Sequence, residues 1–134
     1  MAGRVRVTIT LDRFPQIAAK LPEETRKVVK ETALAVESRM KVEMGKSKHG
    51  EAYGPHRASA PGEAPAVDTG ALINDLLTRF MDGGLRAQVE SHMEYAPHLE
   101  YGTVKMGARP FMTPAAEGER GEFNRKMREL LKRL

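Results

Sequence analysis

Pro22-Glu23-Glu24-Thr25-Arg26-Lys27-Val28-Val29-Lys30-Glu31-Thr32-Ala33-Leu34-Ala35-Val36-Glu37-Ser38-Arg39-Met40-Lys41-Val42-Glu43-Met44-Gly45 is the stretch on which the fold turns. Proline suits the first position of a helix, where its missing N–H costs nothing, and the two acids beside it suit the positive end of the helix dipole. Val29, Ala33, Val36, Met40 and Met44 recur at steps of three and four, which lines one face with apolar side chains. Gly45 is a suitable stop. The spacing predicts a helix over 22–44, about 34 Å long at 1.5 Å per residue. In so short a chain such a helix acts as a spine.

Working outward, Val5, Val7, Ile9 and Leu11 alternate with Arg4, Arg6, Thr8 and Thr10, the period of a half-buried strand. A short helix is expected between Asp12 and Lys20, with Phe14, Ile17, Ala18 and Leu21 on one side. Residues 72–81 read as a helical turn passing into a strand. Asp82-Gly83-Gly84 is a turn, and Leu85, Ala87, Val89 and Ser91 alternate with polar neighbours. A β-hairpin over roughly 75–92 follows. Tyr95–Tyr101 fits another short helix, ended by Gly102. Thr113-Pro114 reads as the cap and start of a final helix, whose apolar stripe is Phe123, Met127, Leu130, Leu131 and Leu134. The expected fold class is α+β: one domain over 1–134, a small antiparallel sheet from 4–11 and 75–92, covered by the long helix and the C-terminal helix.

Residues 45–67 are different in kind. Gly45, Gly50, Gly54, Gly62, Pro55, Pro61 and Pro65 interrupt them, and Val67 is their one large aliphatic. Such a segment is either a plain insertion or an arm that becomes ordered against a neighbouring subunit. Fixing its backbone costs about 1–2 kcal/mol per residue, and it has little apolar surface to offset that. The expectation is a flexible assembly loop.

Composition narrows the chemistry. The chain has 134 residues, no cysteine and no tryptophan, with eight methionines to supply a soft interior or interface. Disulfides and thiolate catalysis are excluded, and a structural zinc site lacks its usual ligands. No apolar run approaches a membrane span, and no apolar segment of a secretion signal follows the N-terminus. The net charge is +4. Arg125, Lys126, Arg128, Lys132 and Arg133 against Glu129 account for all of it, so residues 1–122 are balanced.

No catalytic constellation emerges. His49, His56, His92 and His98 lack partners at metal-ligand spacing, and there is no H-E-x-x-H. Gly45-Lys46-Ser47 matches the end of a phosphate loop, but Met40 stands where its first glycine is required. No catalytic residue, metal or cofactor is expected. Arg125, Arg128 and Lys132 on one helix face read as a solvated surface, as a docking site for an acidic partner, or as a contact for nucleic acid. A small basic DNA-binding protein using this helix is therefore the alternative function, though no base-reading motif accompanies it.

Tyr95, Tyr101, Arg109 and Phe111 are of the types that dominate protein interfaces. The alternative for Tyr101 and Phe111 is a place in the core. Gly102 is suited to a positive φ that throws the next loop outward. Arg109, before Pro110, is pushed to an extended backbone. Asp68-Thr69-Gly70 reads as a helix cap ending the long loop.

In order, the long helix, the loop His56-Arg57-Ala58-Ser59-Ala60-Pro61-Gly62-Glu63-Ala64-Pro65, Val67-Asp68-Thr69-Gly70-Ala71-Leu72, Tyr95-Ala96, Leu99-Glu100-Tyr101-Gly102-Thr103, Ala108-Arg109-Pro110-Phe111 and Pro114-Ala115 resemble the neck or tail-completion proteins of long-tailed bacteriophages and prophages. The likeness covers roughly residues 22–118 and rests on order and spacing. One departure is Ile73-Asn74, where the family tends to have a basic or polar residue after Thr-Gly-Ala-Leu. The resemblance implies a virion structural protein of the head–tail neck, made in the bacterial cytoplasm, with no catalysis and no membrane. It implies a homo-oligomeric ring, six-fold like the phage tail, touching a head-completion (stopper) protein and tail proteins. Genome DNA would pass nearby without specific binding, so the basic helix face is expected to point outward or into a protein interface. The protein-contact residues implied are Arg57, Asp68, Thr69, Gly70, Leu72, Tyr95, Tyr101, Gly102, Thr103, Lys105, Arg109 and Phe111, with the long loop and the 102–110 loop lying across neighbouring subunits.

Overall fold

The computed structural model describes residues 5–11, 13–46, 48, 50, 52–53, 56–57, 61–63, 65, 71–104 and 107–134. The fold is α+β. Its elements are β1 (Val5–Ile9), α1 (Pro15–Lys20), α2 (Pro22–Gly45), β2 (Ala52–Tyr53), β3 (His56–Arg57), α3 (Ala71–Asp75), β4 (Leu77–Met81), β5 (Arg86–Ser91), α4 (Ala96–Tyr101) and α5 (Thr113–Leu131). A three-stranded antiparallel sheet has the order β1-β5-β4.

The α2 stripe forms as its spacing requires. Val29, Ala33, Val36, Met40 and Met44 are all buried, and they pack against Val5, Ile9, Ala87 and Val89 of the sheet. Pro22 opens the helix, with Glu23 and Glu24 in its first turn. At the other end α2 stops at Gly45, but not through a left-handed glycine: Lys46 caps it in extended backbone, φ −73° and ψ 157°. Alternation along β1 and β5 places Val5, Val7 and Ile9 opposite Ser91, Val89 and Ala87 on the helix-covered face.

The β4–β5 hairpin turns through Asp82, Gly83 and Gly84, which have φ of 54°, 66° and 94°. Two glycines and an aspartate are the residues that tolerate this left-handed backbone. Arg26 of α2 secures the turn: its Nε donates to the Gly83 carbonyl at 2.6 Å, and its aliphatic stem lies against Gly84.

A second small core closes the end of the molecule. Ile17 of α1, Val28 of α2, and Met127 and Leu130 of α5 are buried together, and Phe14 meets Phe123 edge-on with ring centroids 6.3 Å apart. The apolar stripe of α5 is narrower than its sequence suggests. Leu131 and Leu134 are 47% and 45% exposed, because the faces of α1 and α2 that cover this helix end at Met127 and Leu130.

Residues 45–67 are not detached from the domain where they are described. Ala52 pairs with Arg57 and Tyr53 with His56 in a two-residue antiparallel ladder. Lys48 is buried and its Nζ donates to the Glu43 carbonyl at 2.7 Å, while the Gly62 N–H donates to the Ala108 carbonyl at 2.7 Å.

Candidate assembly surface

The short helix α4 has two faces of opposite character. Ala96 and Glu100, four residues apart, point inward and are buried. Tyr101 at its last position is 73% exposed, and Tyr95 just before it is 42% exposed. A buried glutamate must be satisfied or it destabilises the fold. Glu100 is satisfied from an unexpected quarter. Its Oε1 accepts the N–H groups of Phe111 and Met112 at 2.9 and 2.8 Å, and its Oε2 accepts that of Thr113 at 2.9 Å. These are donors at the start of α5 that no carbonyl within that helix can reach. One side chain thus caps a helix that begins more than ten residues later, and its negative charge sits at the positive dipole end.

This geometry corrects the reading of Thr113. It is the first helical residue, preceded by Met112, and no side-chain cap bond is made there. The capping role belongs to Glu100. Sequence reasoning missed it because a remote cap has no fixed spacing; the only signal was an acid on the same face as Ala96.

Two backbone bonds complete the clamp. The Gly102 N–H closes α4 on the His98 carbonyl at 2.8 Å, and the Arg109 N–H donates to the Leu99 carbonyl at 2.6 Å. Gly102 and Arg109 are thus both tied to α4. Gly102 has φ 78° and ψ 177°, a conformation essentially confined to glycine, and it turns the chain out of α4. Thr103 and Val104 beyond it are exposed. The Arg109 guanidinium donates to the Gly107 carbonyl. Gly107 also lies against Pro61, so close that a Cβ would sit 2.9 Å from the proline Cβ. With the Gly62–Ala108 bond, this brings the two loops singled out in the sequence into contact.

The expected contact residues therefore divide. Tyr95, Tyr101, Gly102, Thr103 and Arg109 gather on α4 and the loop that follows it. Leu72 and Phe111 face inward, 8% and 2% exposed, and belong to the main core. The backbone of Arg57 lies in β3. Asp68, Thr69, Gly70 and Lys105 fall outside the described residues.

Electrostatics follow from packing. Burial, helped by the negative charge of Asp75, pushes the Tyr95 hydroxyl above its ordinary pKa. Beside the two loops is a cleft of about 500 Å³ lined by Arg39, Glu43, Lys46, Lys48, Glu63 and Phe111, among others. A hydrogen bond from Lys46 holds the Glu43 carboxyl below its ordinary value, and burial lowers Lys48.

The basic end of α5 is laced with carboxylates. Arg125 pairs with Glu122 at 2.5 Å, Lys126 with Glu31 at 3.0 Å, Lys132 with Glu129 at 3.5 Å and Arg133 with Glu24 at 3.7 Å. Among the described residues no cluster of histidine and acidic side chains could hold a metal, and no helix is long and apolar enough to cross a membrane.

One further acid stands apart. Glu90, near the end of the central strand β5, is fully buried. Its Oε1 lies 2.7 Å from Arg79 Nε and 3.2 Å from His92 Nε2, yet neither oxygen has an aligned hydrogen bond.

No protein-family model, curated protein or solved structure matches this chain.

Proposed function

We propose that the protein is a non-catalytic structural subunit of the neck of a tailed phage or prophage, joining head to tail or completing the tail through ring-type contacts. The observation that carries this reading is the mount beneath the Tyr101–Gly102 corner. A buried carboxylate with three charge-assisted hydrogen bonds and a glycine-only backbone at Gly102 lie directly beside the exposed tyrosine. Such preorganisation lowers the ordering cost of binding a partner. A tyrosine 73% exposed on a rigid support is a typical anchor for a protein interface. The order of motifs along residues 22–118 supplies the kind of partner: head-completion and tail proteins, with copies of this chain closing a ring.

DNA binding through α5 draws less support. Four cations at the end of this helix already face carboxylates, so few remain to displace counterions from a phosphate backbone.

The test is binding to purified head-completion and tail proteins encoded by neighbouring genes, compared with duplex DNA at low and moderate salt. Stable complexes with either virion protein, weakened in Tyr101→Ala, are the expected result. Strongly salt-dependent DNA binding by the monomer, without any such complex, would instead establish the rival.

A further inference from the structure

We infer that subunits join edge to edge through the sheet, with β4 of one copy laid along β1 of the next and Phe80 seated in a groove between β1 and α5. This rests on the ring-assembly reading, of which it names the subunit junction.

Three observations lead there. The sheet has two open edges, β1 and β4, each five residues long, and neither pairs with a further strand among the described residues. Open edges are templates for another strand, and proteins usually block or cover them. The helix layer also leaves a groove of about 320 Å³ along β1, with Val7, Ile9, Val36 and Phe123 for apolar lining and Arg13 and Arg120 among its polar groups. At the opposite edge, Phe80 pairs in register with Ala87, a core residue, so it lies on the helix-covered face. Nothing covers it fully there: it remains 42% exposed.

Topology then fixes how two copies fit. β1 and β4 are each antiparallel to β5, and hence parallel to one another. A second copy that extends the sheet with its helices on the same side must therefore set its β1 parallel to the first copy's β4. Phe80 arrives on the helix side, where the groove is. The two strands run in the same direction, so Asp82, which directly follows β4, comes to the end of the junction at which Arg13 lines the groove, just beyond β1. Opposite charges meet at that end. A contact of this kind is heterologous: the two surfaces differ, each copy carries both, and rotation closes them into a ring. A parallel ladder is the weaker kind of strand pairing, so the phenyl ring in the groove carries much of the affinity.

The experiment is sedimentation velocity on the full chain across a wide concentration range. The wild type is expected to form species beyond the dimer, whereas Phe80→Ala, with an unchanged circular-dichroism spectrum, associates at least about tenfold more weakly. Asn124→Trp, which fills the groove from α5, behaves likewise. An equimolar mixture of the two variants retains one intact junction and stops at a heterodimer. Self-association of Phe80→Ala equal to the wild type overturns the proposal, as does a mixture with no heterodimer or a wild type that stays monomeric throughout. In any of those cases, binding of a head or tail protein by the wild type leaves the neck reading standing. Conversely, Phe80-dependent multimers that bind no virion protein support the junction and count against the neck.

Discussion

Glu100 makes the sharpest demand on a single residue. Truncating it to alanine strips three N–H groups of their acceptor, two of them in the buried interior. Each unsatisfied buried donor costs about 1–3 kcal/mol, and water relieves part of that, so Glu100→Ala is expected to lose about 2–4 kcal/mol in urea unfolding. Glu100→Gln keeps one acceptor oxygen and should recover part of the loss. A change below about 0.5 kcal/mol, the usual range for surface substitutions, would remove the clamp from the account. Gly102→Ala should cost about 1–3 kcal/mol by forcing a side chain into the glycine-only region. Tyr101→Ala contrasts with both: little effect on stability, because the ring is exposed, and a marked loss of partner binding. Legibility at this scale was uneven. Gly102 was readable, since a glycine closing a short helix has few other reasons to be there. Phe111 and Tyr101 were not separable, because two aromatics in irregular segments have no periodicity to assign them inward or outward. The structure buries one and exposes the other. Glu100 was hidden because its partners lie beyond any local motif.

Whole elements were easier to read. The α2 stripe and the β1 alternation are regular over several turns or residues, so tertiary packing had no reason to override them. Met40 belongs to that stripe and is fully buried; Met40→Ala is expected to cost about 2–5 kcal/mol in chemical denaturation. The end of α5 was over-read. Periodicity shows where a helix has an apolar face but not how far its neighbours extend to cover it, and Leu131 and Leu134 lie past that limit. Charge at the end of α2 gives a pH-dependent signature. Lys46 holds Glu43 below the ordinary carboxyl value of 4.5 in the folded state. The stability this adds is present above the unfolded-state pKa and is lost as pH falls through the folded one. Both groups are exposed, so the energy is small. NMR titration should place the Glu43 midpoint below 4.5, and Lys46→Ala should return it toward that value. A midpoint unchanged by the substitution would show that Lys46 is not the cause.

At the scale of the molecule, the sheet, α2 and α5 share the core, and α4 carries the exposed Tyr101 at its end. On the proposed reading, the exposed Tyr101 corner and the open edges β1 and β4 are the surfaces by which the subunit would assemble. The measurement closest to this central claim is the mass of complexes formed by the purified chain with head-completion and tail proteins encoded beside it, determined by light scattering after size exclusion. The account predicts a defined multimer of this chain bound to at least one of those proteins, and its loss in Tyr101→Ala while the variant stays folded. A chain that remains monomeric and unbound with every such protein, or complexes indifferent to Tyr101, would contradict it.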